Sequence, residues 1–283
     1  MLHRVEQCTL HLAPSSSNTH AQFRQLLRRF RHPNIIVLYG YNFKGSPEEQ
    51  FLVYEHAAYN SLAGFFRDDS NRACLPADIR LSIMFELAIA VNFLHTGNSH
   101  GWKAFHRDIK SANICLTEDF TARLTGFGVS ECVPDETSNV IPKFVPDETS
   151  KVIPGSILLS TEGDIVGTRG YMCPEYVYKS VSGWPCPFIA PYDVFSIGAV
   201  MAELILGRLT FGRVNVFQKY VMNAQTEIVD GWKLLRDDAD GSIIWNPKVL
   251  QIVCNTAIKC MAPSPSDRFR TNDLLDVLMF RKR

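Results

Sequence analysis

His106-Arg107-Asp108-Ile109-Lys110-Ser111-Ala112-Asn113 gathers a carboxylate, an ammonium two residues on and a carboxamide five residues on into one octet. Downstream comes Thr125-Gly126-Phe127-Gly128, an aromatic ring with a glycine on either side. Helical patterns flank both stretches: Ile79 to His95 before them, and Tyr192 to Leu206, Pro247 to Met261 and Thr271 to Phe280 after them.

The chain of 283 residues is 46% hydrophobic, enough for a substantial core. Lys plus Arg and Asp plus Glu number 29 each, a formal net charge of zero that excludes bulk attraction for nucleic acid or an anionic membrane. Arg24, Arg28, Arg29 and Arg31 read as a solvated helix face. Cys8, Cys74, Cys115, Cys132, Cys173, Cys186, Cys254 and Cys260 show no CxxC spacing, and the N-terminus lacks the layout of a secretion signal. The expected setting is reducing and cytoplasmic. The apolar run Val194 to Leu206 is too short to span a membrane and contains Ser196 and Glu203, so it reads as a buried core helix.

Near the N-terminus, Phe23, Leu26, Leu27 and Phe30 fall at i, i+3, i+4 and i+7, which predicts a helix from about Thr19 that His32-Pro33-Asn34 ends. Two strand-like runs follow, Ile35 to Tyr41 and Gln50 to Glu55, parted by Lys44-Gly45-Ser46-Pro47. A small strand-bearing part, residues 1–58, therefore precedes a larger helical part, residues 59–283, and the expected class is α+β. Val133 to Phe144 is nearly repeated at Val145 to Ser156, a duplication of twelve residues with four prolines and two Asp-Glu pairs. Two short copies do not make a solenoid, and the composition predicts a surface loop. A duplication there is cheap in free energy and needs no function, although Thr137, Ser138, Thr149 and Ser150 offer phosphorylatable hydroxyls.

Over its whole length the octet resembles the catalytic loop of eukaryotic protein kinases. The resemblance implies a two-lobed fold with an incomplete N-lobe and a mainly helical C-lobe. It implies ATP and Mg as cofactors, and it gives Asp108 the orienting of an acceptor hydroxyl, Lys110 the transferred phosphate and Asn113 a second metal. His106 and Arg107 brace the loop in this family. Gly167-Thr168-Arg169-Gly170-Tyr171-Met172-Cys173-Pro174-Glu175 resembles the end of an activation segment with Cys-Pro-Glu in place of Ala-Pro-Glu; Thr168 then braces the loop and Glu175 pairs with Arg268. Asp193 matches the family's buried aspartate beneath the catalytic loop. Arg31-His32-Pro33-Asn34-Ile35, Leu52-Val53-Tyr54-Glu55 and Ser61-Leu62 resemble the tyrosine-kinase-like group, nearest to interleukin-1 receptor-associated and plant receptor-like serine/threonine kinases. Tyr54 then stands as gatekeeper, with Glu55, His56 and Ala57 as the hinge that meets adenine.

Against that pattern several charged groups are absent. An active kinase holds the nucleotide phosphates with a strand lysine paired to a helix glutamate. Here the first lysine is Lys44, no acidic residue lies between Glu6 and Glu48, and Phe23 occupies the glutamate position. The first glycine is Gly40, so the glycine-rich phosphate loop is missing, and only Val5 to Leu12 could be a remnant strand. Gly126 stands where the metal-binding aspartate belongs, while Asp119 belongs to the preceding turn. Loss of one electrostatic stabiliser typically costs roughly 10² to 10³ in rate, which counts against use of ATP and Mg.

Two functions of different class follow. One is a pseudokinase, a signalling interaction or allosteric module that meets signalling proteins, including a kinase partner, through the activation segment or an open N-lobe sheet edge. The other is an ATP-dependent serine/threonine kinase represented by an N-terminally truncated chain. Truncation accounts for the missing glycine loop and lysine but not for Phe23 or Gly126. Nucleotide binding without transfer is a third state compatible with the hinge and Asn113. Phe127 is expected to pack under the helix at Leu27 in all of them.

Overall fold

A computed structural model describes residues 26, 29–42, 51–59, 61–68, 74–97, 101–135, 166–182, 187–210, 216–222 and 230–279. Val5 to Leu12, Thr19, Phe23, Leu27 and all of the duplicated segment beyond residue 135 lie outside the described residues.

The strand-bearing part contains β1 (Leu38–Asn42) and β2 (Phe51–Tyr54), an antiparallel pair with Leu38 opposite Tyr54 and Asn42 opposite Phe51. A bulge between Leu38 and Gly40 turns Tyr39 outward. The predicted first strand began at Ile35, yet Ile35 and Ile36 pair with a different element. Ile35 forms a parallel bridge to Leu124, Ile36 N–H donates to Leu124 O at 2.9 Å, and Leu124 N–H donates to Asn34 O at 2.8 Å. The Asn34 carboxamide adds a bond to Ala122 O at 3.1 Å. The segment after the His32-Pro33 turn is thus pinned by backbone bonds to the larger part.

Ser61 caps α1 (Leu62–Arg67) by accepting Gly64 N–H. α2 (Ala77–His95) follows, with Asp78 in its first turn, where the helix dipole favours a negative charge. It buries Ile83, Met84, Leu87, Ala88, Val91 and Leu94, the helical spacing that predicted it. Three short strand pairs complete the strand content of the described residues: β3 (Trp102–Phe105) pairs antiparallel with β6 (Glu131–Pro134), and β4 (Ile114–Leu116) pairs with β5 (Ala122–Leu124) as a hairpin, alongside β1 with β2. The first two residues of the duplicated segment, Val133 and Pro134, therefore continue β6 instead of looping out. Pro134 is tolerated because it ends the strand.

α3 (Pro174–Val181) leads to α4 (Ala190–Leu206), the axis of the larger part, in which every residue from Tyr192 to Leu206 is buried. Such all-round burial suits its mostly apolar sequence, with Asp193, Ser196 and Glu203 as the buried polar exceptions. At Gly198 a Cβ would stand 2.8–2.9 Å from Cys260 Cβ, Met261 Cγ and Ala257 O, so glycine lets α4 press against α6 (Pro247–Cys260). α5 (Gly231–Asp237) and α7 (Thr271–Leu278) cover α6 and α2. Helix ends differ from expectation by one or two residues, as fraying ends do. The architecture is α+β with a predominantly helical larger part, as expected.

Candidate active site

The octet spans the gap between β3 and β4, so its ends are fixed by two strand pairs and its middle faces Thr125 to Phe127 at the end of β5. His106 is fully buried, and its Nε2–H donates to Thr125 O at 2.8 Å while Nδ1 accepts Asp108 N–H at 3.3 Å. Burial lowers the His106 pKa against the opposing pull of Asp193, consistent with the neutral tautomer those two bonds require. Its ring meets Phe127 edge-on, centroids 4.7 Å apart, and Phe127 is itself 1% exposed. Phe127 thus packs in the core; its expected contact with Leu27 lies outside the described residues.

Asp193 rises from α4 beneath the loop. Its Oδ2 accepts His106 N–H at 2.8 Å and His95 Nε2–H at 2.9 Å, and its Oδ1 accepts Arg107 N–H at 2.9 Å. Burial alone would raise its pKa, but the hydrogen bonds from His95 and from the Arg107 N–H outweigh it and hold the carboxyl below its ordinary range. Arg107, with φ 70, directs its guanidinium to Glu131 at 3.3 Å and over the Phe188 ring at 5.7 Å. Burial pushes the Glu131 carboxyl up, against the pull of Arg107.

The polar groups of the octet converge on one carboxylate. Asp108 Oδ1 accepts the Thr168 hydroxyl at 2.6 Å, Oδ2 meets Lys110 Nζ at 2.7 Å, and Lys110 also donates to the Thr168 oxygen at 2.7 Å. The Asn113 carboxamide donates to Asp108 O at 2.7 Å and to Asp108 Oδ2 at 3.0 Å. Asp108, Lys110, Asn113 and Thr168 are therefore brought together from the octet and the segment after residue 165. A carboxylate so placed can accept a proton from a hydroxyl, and the ammonium beside it can neutralise an anionic group.

Glu175 and Arg268 pair at 2.6 Å, and Arg268 also donates to Ala262 O, Pro191 O and Pro263 O, tying α3 to the turn before α7. Burial pushes the Cys173 thiol up; the residue is 1% exposed and fills the place of the expected alanine.

Tyr54 is buried at the end of β2, and burial raises its phenol pKa. Glu55 N–H donates to Val37 O at 2.9 Å, while its Oε1 accepts Val37 N–H and pairs with Arg123 Nε, both at 3.3 Å. His56 is exposed and Ala57 buried. A cavity of about 500 Å³ beside them is lined by His56, Ala58, Thr117, Glu118 and Asp119. Asp119 serves the β4–β5 turn, bonded to the Thr117 hydroxyl and to Thr121 N–H, and takes no part in the site around Asp108.

Divalent metal fits this arrangement poorly. Gly126 offers no carboxylate, Asn113 donates through Nδ2 to Asp108 and leaves only its Oδ1 as a candidate ligand, and among the described residues no group of three His, Cys, Asp or Glu side chains could hold a metal ion.

Several supporting residues escaped the sequence reading. Glu203, buried in α4, accepts the Tyr171 hydroxyl at 2.9 and 3.0 Å, Thr210 N–H at 2.8 Å and the Ser111 hydroxyl. It links the octet, the segment end and the core helix. A carboxylate near the C-terminal end of a mostly apolar helix was the available signal, since such a charge requires partners when buried. His95 left no comparable trace, because its partner lies 98 residues away.

The sequence pattern of the protein kinase domain matches residues 12–279. The chain is 29% identical over 279 residues to a probable receptor-like protein kinase of Arabidopsis thaliana, covering 95% of this chain and 30% of that protein. It is 30% identical over 258 residues to a probable serine/threonine-protein kinase of the same plant, covering 89% of this chain and 57% of the relative. A probable leucine-rich-repeat receptor-like serine/threonine-protein kinase, also from Arabidopsis thaliana, is 31% identical over 268 residues, 91% of this chain and 26% of that protein. The chain thus spans between a quarter and about three-fifths of these relatives. With the braced octet, the Glu175–Arg268 pair and the family pattern in agreement, this chain belongs to the eukaryotic protein kinase domain family.

Proposed function

We propose that this chain is a catalytically impaired member of that family, a pseudokinase that works in signalling as an interaction or allosteric module. The observation that carries the reading is Gly126 in the place of the metal-binding aspartate, with the neighbouring Asn113 amide bonded to Asp108. The family uses ATP and Mg, and phosphoryl transfer depends on metal ions that bridge and neutralise the phosphates. Here the described residues around Asp108 carry one ammonium, Lys110, already paired with Asp108. Phe23 in the glutamate position supports the same reading.

On this proposal residues 1–58 act as a partial N-lobe and 59–283 as the C-lobe. Asp108, Lys110, Asn113 and Thr168 persist because their mutual bonds hold the loop, and Tyr54 to Ala57 form a hinge able to meet a purine. Partners are signalling proteins that dock on the activation segment or the N-lobe sheet, in a cytoplasmic setting. Among the described residues no helix is long and apolar enough to cross a membrane.

The alternative is a serine/threonine kinase, the activity in the names of two of the relatives. The Asp108, Lys110 and Thr168 geometry favours it, because these groups stand ready for an acceptor hydroxyl. ATP binding followed by thermal shift with and without magnesium, paired with an autophosphorylation assay, separates the two. The pseudokinase reading expects no magnesium-dependent shift and no incorporation; incorporation abolished by Asp108→Asn would overturn it.

A further inference from the structure

Gly126 adopts φ +83, and a Cβ built on it would stand 2.5 Å from Asn113 Nδ2 and 2.6 Å from Asn113 Oδ1, with Asn113 Cγ closer still. Those separations are far inside van der Waals contact, so the Asn113 carboxamide fills the space where any side chain at 126 would begin. Neither partner can retreat easily. Thr125 N–H donates to Asn113 O at 2.9 Å, Asn113 N–H donates to Lys110 O at 2.8 Å, and His106 Nε2–H fixes Thr125 O on the other side. The carboxamide is held in turn by its two bonds to Asp108.

We infer that Asn113 and Gly126 form one interdependent closure of the metal position: Asn113 acts as a positioning residue that orients Asp108 without metal, and Gly126 is required because that orientation leaves no room for a Cβ. The inference deepens the pseudokinase reading by naming how the metal site is shut. Asp108 then has both carboxylate oxygens engaged by Thr168, Lys110 and Asn113, and the Lys110 ammonium balances its charge without a metal ion. A carboxylate returned to position 126 would meet the Asn113 amide before it met a metal. The absence of a side chain at 126 and the placement of the Asn113 carboxamide are therefore sterically coupled, and changing either alone is unfavourable.

A double-mutant cycle on the full chain tests this. Melting temperatures are measured in EDTA for wild type, Gly126→Ala, Asn113→Ala and the pair, and magnesium chloride is then titrated into wild type, Gly126→Asp and Gly126→Asp with Asn113→Ala. Gly126→Ala is expected to lower Tm by roughly 3–6 °C in the wild-type background and by clearly less beside Asn113→Ala, where only the strain of a positive φ remains. Gly126→Asp alone is expected to show no magnesium-dependent shift, and to gain one when Asn113 is also replaced. Equal costs in both backgrounds, to within about 1 °C, would overturn the inference, as would a magnesium response in Gly126→Asp alone. If Gly126→Ala does not fold, recovery of folding in the pair supports the inference and failure of the pair refutes it. These outcomes are separate from phosphate incorporation by the wild type, which bears on the pseudokinase reading itself.

Discussion

The Asp193 carboxylate takes the backbone N–H of Arg107 at 2.9 Å and, with its second oxygen on His106 N–H, holds Arg107 at φ 70. A left-handed residue of this kind persists only where its surroundings over-determine it. Here the determinant sits in the core helix α4, 86 residues downstream. The loop is therefore shaped from below by the C-lobe core, independently of any ligand above it.

Asp193→Ala is expected to destabilise the protein by about 3–5 kcal/mol, because two backbone donors and His95 lose their acceptor in a fully buried place. Urea unfolding measures it, and a cost below about 1 kcal/mol would show that the loop is held by other means. The pH dependence follows from the direction of the shift. The folded carboxyl titrates below its unfolded value near about 4, so its contribution is fully present above that value and fades as pH falls through the lower folded pKa. Wild type should accordingly lose part of its advantage over Asp193→Asn only in strong acid.

Arg268→Ala should cost about 3–5 kcal/mol, since the guanidinium is wholly buried and serves Glu175 as well as three carbonyl oxygens. Arg268→Lys should recover little of this, because one ammonium cannot reproduce that planar fork. In a cycle with Glu175→Gln the coupling should be about 1–3 kcal/mol. A coupling of zero would mean that the carbonyl contacts alone secure the turn.

Gly207 ends α4 with φ 63, and a Cβ there would run into the Asp240 carboxylate, with Cγ at 2.7 Å and Arg80 Nη1 at 3.0 Å. That carboxylate pairs with the fully buried Arg80 at 2.8 Å. Gly207→Ala should therefore destabilise by about 2–4 kcal/mol, left-handed strain adding to a displaced ion pair. Thermal and urea unfolding with a loss under about 0.5 kcal/mol would contradict the close approach.

Thiol reactivity should divide by burial. Desolvation pushes Cys132, Cys254 and Cys260 up to about 12, so about 10⁻⁴ of each is thiolate at pH 8. Cys74 is exposed. Peptide mapping after brief iodoacetamide treatment should find Cys74 modified and those three protected until the chain is unfolded in urea. Rapid labelling of Cys254 in the native protein would indicate that α6 opens locally.

Much of this protein is legible along the chain because its information is local. The periodicity of Ile79 to His95 placed α2, the apolar run to Leu206 placed α4, and the octet together with Cys173-Pro174-Glu175 pointed to the cluster around Asp108 and to the Glu175–Arg268 pair. That position 126 carries no carboxylate is read from its identity alone. Local signals failed where a segment had two suitors. Ile35 and Ile36 carry strand chemistry but are claimed by Leu124, and Val133 and Pro134 look like loop residues but pair with Lys103 and Trp102.

Which groups are present for chemistry is settled by covalent identity: one carboxylate at 108, one ammonium at 110, a carboxamide at 113 and no side chain at 126. What those groups do to one another is settled by packing. That His95 and Asp193 meet, that Glu203 gathers Ser111, Tyr171 and Thr210, and that the Asn113 amide turns onto Asp108 above a bare Gly126 all depend on distances between elements far apart in the chain. A hydrogen bond is decided within a few tenths of an ångström, and only the closed core around α4 brings those atoms to that tolerance.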